Sequence, residues 1–501
     1  MSSLQKYLEK YGSSVSPAMV SYVAQLENVK SVAPEIARSI VKELEDQRTY
    51  LKLIASENFS SIAVQSAMGT LLTDKYSEGF PFHRFYAGCD NVDAIEDYGC
   101  KKACELFGAE HAYIQPHSGA DANLCAYWAI LNTKIQIPEL EKIGISNVSN
   151  LTKEQWNKIR KLTGNQKILG LDYYSGGHLT HGYRQNISAQ MFDSYSYTVD
   201  EKTGLLDYDA IERQALAIRP LIIVAGYSAY PRKINFRRMK EIAELSGSVL
   251  MVDMAHFAGL VAGGVFEGDY DPVKWADVVT TTTHKTLRGP RGGMILCKEE
   301  FAESVDRGCP LVIGGPLPHV MAAKAVALTE ALNPEFKIYA KKIVENAQAL
   351  AKACMDEGIP VSTNGTDNHL LLLDVRPFGL NGRQAESLLR ECAITLNRNA
   401  LPFDTNGVWY TSGLRVGTPA VTTLGMGVEE MKEIASVFAL VLKNARAATI
   451  TKGEKAGTLS KSKAVADKAV KEEAKARITA LLNKFVLYPE LDLEFLKSEF
   501  C

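Results

Sequence analysis

No stretch of this 501-residue chain is apolar for long enough to cross a bilayer, and residues Met1 to Lys10 alternate charged and apolar side chains without a signal-peptide core. Charge of one sign is also missing. Lys and Arg number 56 against 58 Asp and Glu, a net charge of −2, which gives nucleic acid and anionic membrane no electrostatic handle. The nine cysteines are an odd, scattered set with no C-x-x-C pair; Cys100 and Cys104 share only helical spacing. A disulfide framework is therefore not expected, and reduced thiols make the cytoplasm the expected compartment. What remains is an ordinary soluble composition, 46% hydrophobic and 23% charged, in a chain long enough for two or three domains.

Chemistry is concentrated around Lys285. Val278 to Thr283 is a run of β-branched residues, read as a strand, and Gly289-Pro290 and Gly292-Gly293 read as the turn after it. An ammonium at such a strand end either pairs with an acid or gives up its proton, and a neutral buried amine is a nucleophile toward aldehydes such as pyridoxal phosphate. Taken alone, a solvated lysine is the commoner case. Two further stretches change the balance. Val249 to Val252 is an apolar run ending in Asp253, at a distance suited to one strand, a crossover and the next parallel strand, so that Asp253 and Lys285 would share the carboxyl edge of a sheet. Ser118-Gly119-Ala120 opens a helical segment through Asn132, offering free N–H groups and a hydroxyl to a phosphate. His178 and His181 lie in a glycine-rich loop with no Cys or carboxylate placed beside them in sequence, so no metal site is expected.

With these segments on the page, together with Leu53 to Asn58, Asp74 to Gly79, Gly176 to Gly182 and Thr411 to Pro419, the chain resembles the serine hydroxymethyltransferases. These are pyridoxal-phosphate enzymes of fold type I, with the aspartate-aminotransferase-like fold. The resemblance implies an α/β architecture: a large domain with a mostly parallel seven-stranded sheet covered by helices, a smaller C-terminal α/β domain and an N-terminal helical arm. It implies pyridoxal 5'-phosphate bound covalently on Lys285, with tetrahydrofolate as co-substrate and serine and glycine as substrates. Catalysis would fall to Lys285, Glu78, His178, Asp253 and Tyr86. Cofactor contacts would come from Ser118, Gly119, Ala120, His178, Ser228, Asp253, His256, His284 and Lys285, with Tyr76, Gly314 and Gly315 reaching in from a second subunit. Ser56, Glu78, Tyr86 and Arg415 would hold the amino acid, and Phe85, Tyr173, Leu179 and Asn399 would face folate. A homodimer with shared sites is implied; pairing of dimers into tetramers is left open.

Some residues depart from the family pattern. Phe85 stands where two adjacent tyrosines are usual, and Cys309 replaces an aromatic ahead of Gly314-Gly315. With the Tyr173-Tyr174-Ser175 segment, both alter the folate side and keep alive a folate-independent alanine racemase or 3-hydroxy amino acid aldolase; a non-catalytic interaction protein is the remaining alternative.

The expected domains are residues 1–75 as the arm, 76–328 as the cofactor-binding domain and 329–501 as the small domain. In the arm, Ile36, Ile40, Val41 and Leu44 form an apolar stripe at helical spacing. Residues 135–167 read as a surface insertion with one short helix near the site entrance. The Lys- and Ala-rich segment 451–477 reads as a solvated linker and exposed helix, after which Ile478 to Phe485, Tyr488 and Leu491 could dock back on the body.

Overall fold

The computed structural model describes all residues, 1–501. Its central sheet has seven strands: β1 (His111–Tyr113), β2 (Lys167–Leu171), β3 (Asp193–Tyr197), β4 (Ile222–Gly226), β5 (Val249–Asp253), β6 (Val278–Thr282) and β7 (Gly293–Cys297). Their order is β1-β7-β6-β5-β4-β2-β3, and β7 alone runs against its neighbours. The expected mostly parallel sheet is present.

The central strands are buried throughout because both sheet faces are covered. In β5, Leu250 and Val252 pack into the core on one face while Val249 and Met251 pack into the core on the other, the period-two alternation of an extended chain. The helix Phe236–Ser246 connects β4 to β5 as its amphipathic pattern predicts, burying Phe236, Met239, Ile242 and Ala243. Asp253 is in register with Thr280 of β6. Asp253 and Lys285 thus leave adjacent parallel strands at the same edge.

The smaller unit is built on an antiparallel sheet, β8 (Leu370–Asp374), β9 (Asn397–Asn399) and β10 (Gly413–Gly417), with β10 in the middle. Helix Pro334–Asp356 belongs to both cores: Phe336, Ala340 and Ile343 pack with the large sheet, Leu350, Ala351 and Cys354 with the small one. Leu51 and Leu53, within the expected arm, pack into this second core, where Leu51 pairs with Ile394.

Three expectations need correction. The arm is helical, but its stripe is split: Val41 and Leu44 bury against the C-terminal helix Leu493–Phe500, whereas Ile36 and Ile40 are 56% and 37% exposed. The segment 135–167 holds two helices. One continues from Asn132 through a π-helical turn into Ile137–Lys142, and the other, Lys153–Gly164, starts at Thr152 with a capping box to Gln155. None of its residues lines the cavity beside Lys285. The Lys-rich tail is no linker: Leu459–Val465 pairs with Arg446–Thr449 in a hairpin, and helix Lys468–Lys484 buries Ala474, Ile478 and Leu482. Leu491 does dock, among the N-terminal helices. No helix is long and apolar enough to cross a membrane.

Candidate active site

Lys285 lies just beyond β6, in a turn closed by hydrogen bonds from Thr283 N to the Gly292 carbonyl and from Gly289 N to the Thr283 carbonyl. Asn58 Nδ2 donates to the Lys285 carbonyl at 2.9 Å, and the Lys285 amine reaches Thr282 Oγ1 at 3.1 Å. Enclosure lowers the ammonium's pKa to about 8; Asp253 opposes the shift, while Arg415 and Arg291 add to it. Roughly a tenth of the amine is therefore neutral at pH 7, far more than for an ordinary lysine.

Burial by itself would raise the Asp253 carboxyl. Hydrogen bonds to Oδ2 from His181 Nε2 (3.1 Å) and Asn123 Nδ2 (2.9 Å) instead hold it well below the usual carboxylate range. Asn123 is oriented in turn by Thr280 Oγ1, which donates to its Oδ1. The histidine loop thus acquires, from β5, the carboxylate that sequence neighbours do not provide, and its ligand atoms converge with those of Asp253 within 4.8 Å. His178 Nδ1 is 2.7 Å from Thr180 Oγ1, and burial depresses its pKa to about 4, leaving a neutral ring.

Helix Gly119–Leu131 starts at Ser118, whose Oγ accepts from Asp121 N. The hydroxyl proton and the first-turn amides of Gly119 and Ala120 remain free to meet an anion. Gly119 is required here: a Cβ would come within 2.7 Å of Thr282 Cγ2, so only a bare backbone lets the helix start approach the Lys285 strand. Beneath this loop the buried Lys324 ammonium donates to the carbonyls of Ile114 (2.6 Å), Pro116 (2.9 Å) and Gly293 (2.8 Å).

Lys285 opens onto a cavity of about 530 Å³. Of the expected residues, Ser56, Tyr173, His178, Leu179, Ser228, His256, Asn399 and Arg415 line it with Lys285. Arg415 comes from β10 and crosses to the large domain, where Nη1 donates to the Ser228 carbonyl at 2.8 Å; Nε donates to Asn397 Oδ1 at 3.2 Å. No carboxylate lies within ion-pair distance of its guanidinium. The cavity thus sets a near-neutral amine beside an uncompensated cation, with an ionised buried acid behind.

Comparison with known proteins reads the same way. A profile described as serine hydroxymethyltransferase matches residues 29–161 and 158–438. The chain belongs to the serine hydroxymethyltransferase family. A serine hydroxymethyltransferase of Treponema pallidum (strain Nichols) is 62% identical over 500 residues, covering 100% of this chain and 86% of the relative. One from Salinispora tropica is 54% identical over 473 residues, covering 94% and 98%, and one from Mycolicibacterium smegmatis is 53% identical over 476 residues, covering 95% of each.

Not every expected family residue meets Lys285 within the chain. Tyr76, Glu78, Phe85 and Tyr86 lie outside the cavity, in a surface cluster where both tyrosine hydroxyls donate to the Glu78 carboxylate at 3.2 Å. Phe85 is 69% exposed. Gly315 backs onto this cluster, close to the Tyr76 ring, and its carbonyl is 3.2 Å from His117 Nε2. Cys309 is buried with its thiol toward the Gly314 carbonyl. His284 points away, into a neighbouring cavity shared with Glu57 and Arg291. Asn397, expected with Asn399 on the pterin side, also lines the cavity, whereas sequence reasoning missed Asn123, Lys324 and His369. A lysine amid the alanines of helix Pro318–Ala331 was the one readable signal among them, because a charge on an apolar helix needs a partner.

Proposed function

We propose that this chain catalyses reversible transfer of the serine hydroxymethyl carbon to tetrahydrofolate, giving glycine and 5,10-methylenetetrahydrofolate, with pyridoxal 5'-phosphate held covalently on Lys285. The observation that carries the reading is the pairing of Lys285 with Arg415 on one cavity, an amine near neutrality beside a guanidinium that lacks a carboxylate.

The residues fit that cofactor. An ionised buried carboxylate at Asp253 suits a ring cation, the free amides after Ser118 suit a phosphate, and an amine at Lys285 whose pKa is lowered to about 8 suits an aldehyde. When bound, pyridoxal phosphate supplies an electron sink for charge left on the amino acid's α-carbon. The chain's own groups decide which bond breaks. Arg415 binds the substrate carboxylate and fixes its orientation, since a guanidinium pairs bidentately and stays charged. Lys285, released from its covalent role by the substrate, accepts or returns a proton at the α-carbon. His178, neutral and anchored through Nδ1 by Thr180, would hold the cofactor ring from the cavity wall. Tyr173, Leu179 and Asn399 at the cavity wall would receive the pterin.

We infer a homodimer in which Tyr76, Glu78 and Tyr86 complete the partner's cavity, Glu78 acting as acid and base at the hydroxymethyl end. Their absence from the chain's own cavity supports this, as does the exposure of Leu71, Phe82 and Phe85 around them, too much apolar surface in one region for a face that meets only water. Nine free cysteines fit a cytoplasmic protein. The test is turnover of serine with and without tetrahydrofolate. Equimolar glycine and methylenetetrahydrofolate are expected; serine cleavage or alanine racemisation indifferent to folate would replace this reading with the folate-independent one.

A further inference from the structure

Behind the cavity wall two histidines face each other across the domain boundary. His256 follows β5 of the large domain and His369 immediately precedes β8 of the small one, and His256 Nδ1 lies 3.1 Å from His369 Nε2. Both rings are buried. Their backbones are tied down on either side: Thr286 Oγ1 donates to the His256 carbonyl, and Thr418 N to the His369 carbonyl, both at 3.0 Å. The contact is therefore held by the residue next to Lys285 on one side and by the strand end that carries Arg415 on the other.

A pair of neutral imidazoles at this distance shares one proton, and the remaining nitrogens decide which ring carries it. Burial together with the cations Lys285 and Arg415 depresses both pKa values, that of His369 to about 3, so both rings are neutral. His369 Nδ1 is buried with no hydrogen-bond partner. A buried N–H without an acceptor is rarer and costlier than a lone pair without a donor, so the His369 proton sits on Nε2, pointing at His256. His256 Nδ1 must then accept, and its own proton is driven to Nε2. That atom has no protein partner and is not enclosed, on a residue that lines the Lys285 cavity.

We propose that His369 is a positioning residue that locks His256 as its Nε2–H tautomer, making His256 a fixed hydrogen-bond donor to an oxygen of the ligand seated in the Lys285 cavity. Resting on the function proposed above, this oxygen is the phenolic one of pyridoxal phosphate. His369 touches no ligand itself. Without it, His256 could place its proton on either nitrogen and offer the ligand a lone pair instead of a donor.

The tautomers are read from long-range proton–nitrogen correlation spectra of full-length protein with 15N-labelled histidine, purified with its cofactor. His256 is expected with an accepting Nδ1 and a protonated Nε2. His369→Leu should leave His256 in a mixture of tautomers and raise the pH midpoint of the cofactor absorption by about half a unit or more, as loss of a donor to the phenolic oxygen requires. His369→Gln, whose amide N–H replaces Nε2–H, should restore both. A protonated Nδ1 on wild-type His256, or a Leu variant with both signatures unchanged, would overturn the proposal. If His369→Leu does not fold, the wild-type tautomer decides alone. Absence of any cofactor absorption would instead strike the functional reading, and the tautomer readout, which needs no cofactor, would still settle the role of His369.

Discussion

Arg415 Nη1 donates to the carbonyl of Ser228 at 2.8 Å, so the small domain's central strand delivers its one buried guanidinium to the carboxyl edge of the large sheet. The protein meets that group only with neutral acceptors, the Ser228 carbonyl and Asn397 Oδ1, which leaves the positive charge for a ligand. Arg415→Lys keeps the charge and loses the fork. We expect kcat/KM for serine to fall about 100-fold or more, the loss of roughly 3 kcal/mol that truncating a buried charge-assisted pair produces, while cofactor absorption is retained. Equal kcat/KM in the two proteins would remove Arg415 from carboxylate binding.

The depressed pKa of Lys285 sets a pH dependence with a definite sign. In cofactor-free protein the reactive amine is unmasked as pH rises through about 8, so the rate of pyridoxal phosphate incorporation should climb with a midpoint there. The folded state binds this proton less tightly than the unfolded chain does. Lys285 therefore opposes folding most below pH 8, and its penalty is relieved as pH rises toward the ordinary lysine value of 10.5. A loading rate that is flat from pH 7 to 9 would contradict the assignment.

Asp253→Asn preserves shape and the backbone hydrogen bond to Ala255 N but removes the charge. Turnover is expected to fall by about three orders of magnitude, the scale of losing a charge that acts on the reacting system, while part of the cofactor stays bound. Absorption spectra measured alongside kcat separate the two effects. Near-normal kcat with normal binding would mean the carboxylate is structural.

Lys324 makes three hydrogen bonds to carbonyls from a fully enclosed position. Lys324→Met removes three hydrogen bonds, leaving the Pro116 carbonyl only its bond from Gly293 N, and should cost about 3 kcal/mol of unfolding free energy in urea titration, with weakened cofactor retention, because Pro116 belongs to the loop leading into Ser118. A change under 1 kcal/mol would show that the ammonium is dispensable.

If the surface cluster around Glu78 serves a partner's cavity, two inactive proteins should rescue each other. Glu78→Gln and Lys285→Ala, mixed after gentle dissociation, would form hybrids with one intact site, recovering about a quarter of wild-type activity on random pairing. Zero recovery, with hybrids confirmed by mass, would place Glu78 in its own subunit's chemistry.

The central strands, the helix Phe236–Ser246 and the shared strand edge of Asp253 and Lys285 were legible in the chain because they obey local rules: period-two burial, period-3.6 amphipathicity, and an acid and a lysine at the ends of successive strand-like runs. The insertion and tail were misjudged for the opposite reason. Lys461 and Lys463 look like linker residues by composition, yet strand pairing uses only their backbone and lets the side chains point to solvent.

The sequence by itself determined the family and the mostly parallel sheet, and it pointed to Lys285, Asp253 and Arg415, which the fold gathers at one edge of that sheet. Only the tertiary structure decided that Asn123 and His181 hold Asp253 ionised, that Lys324 anchors the loop leading into Ser118, that His369 meets His256, and that Glu78 stays outside its own chain's cavity. The reason is distance along the chain. Asn123 and Asp253, or His256 and His369, are more than a hundred residues apart, and no local pattern encodes which of many polar groups folding will bring within 3 Å of another.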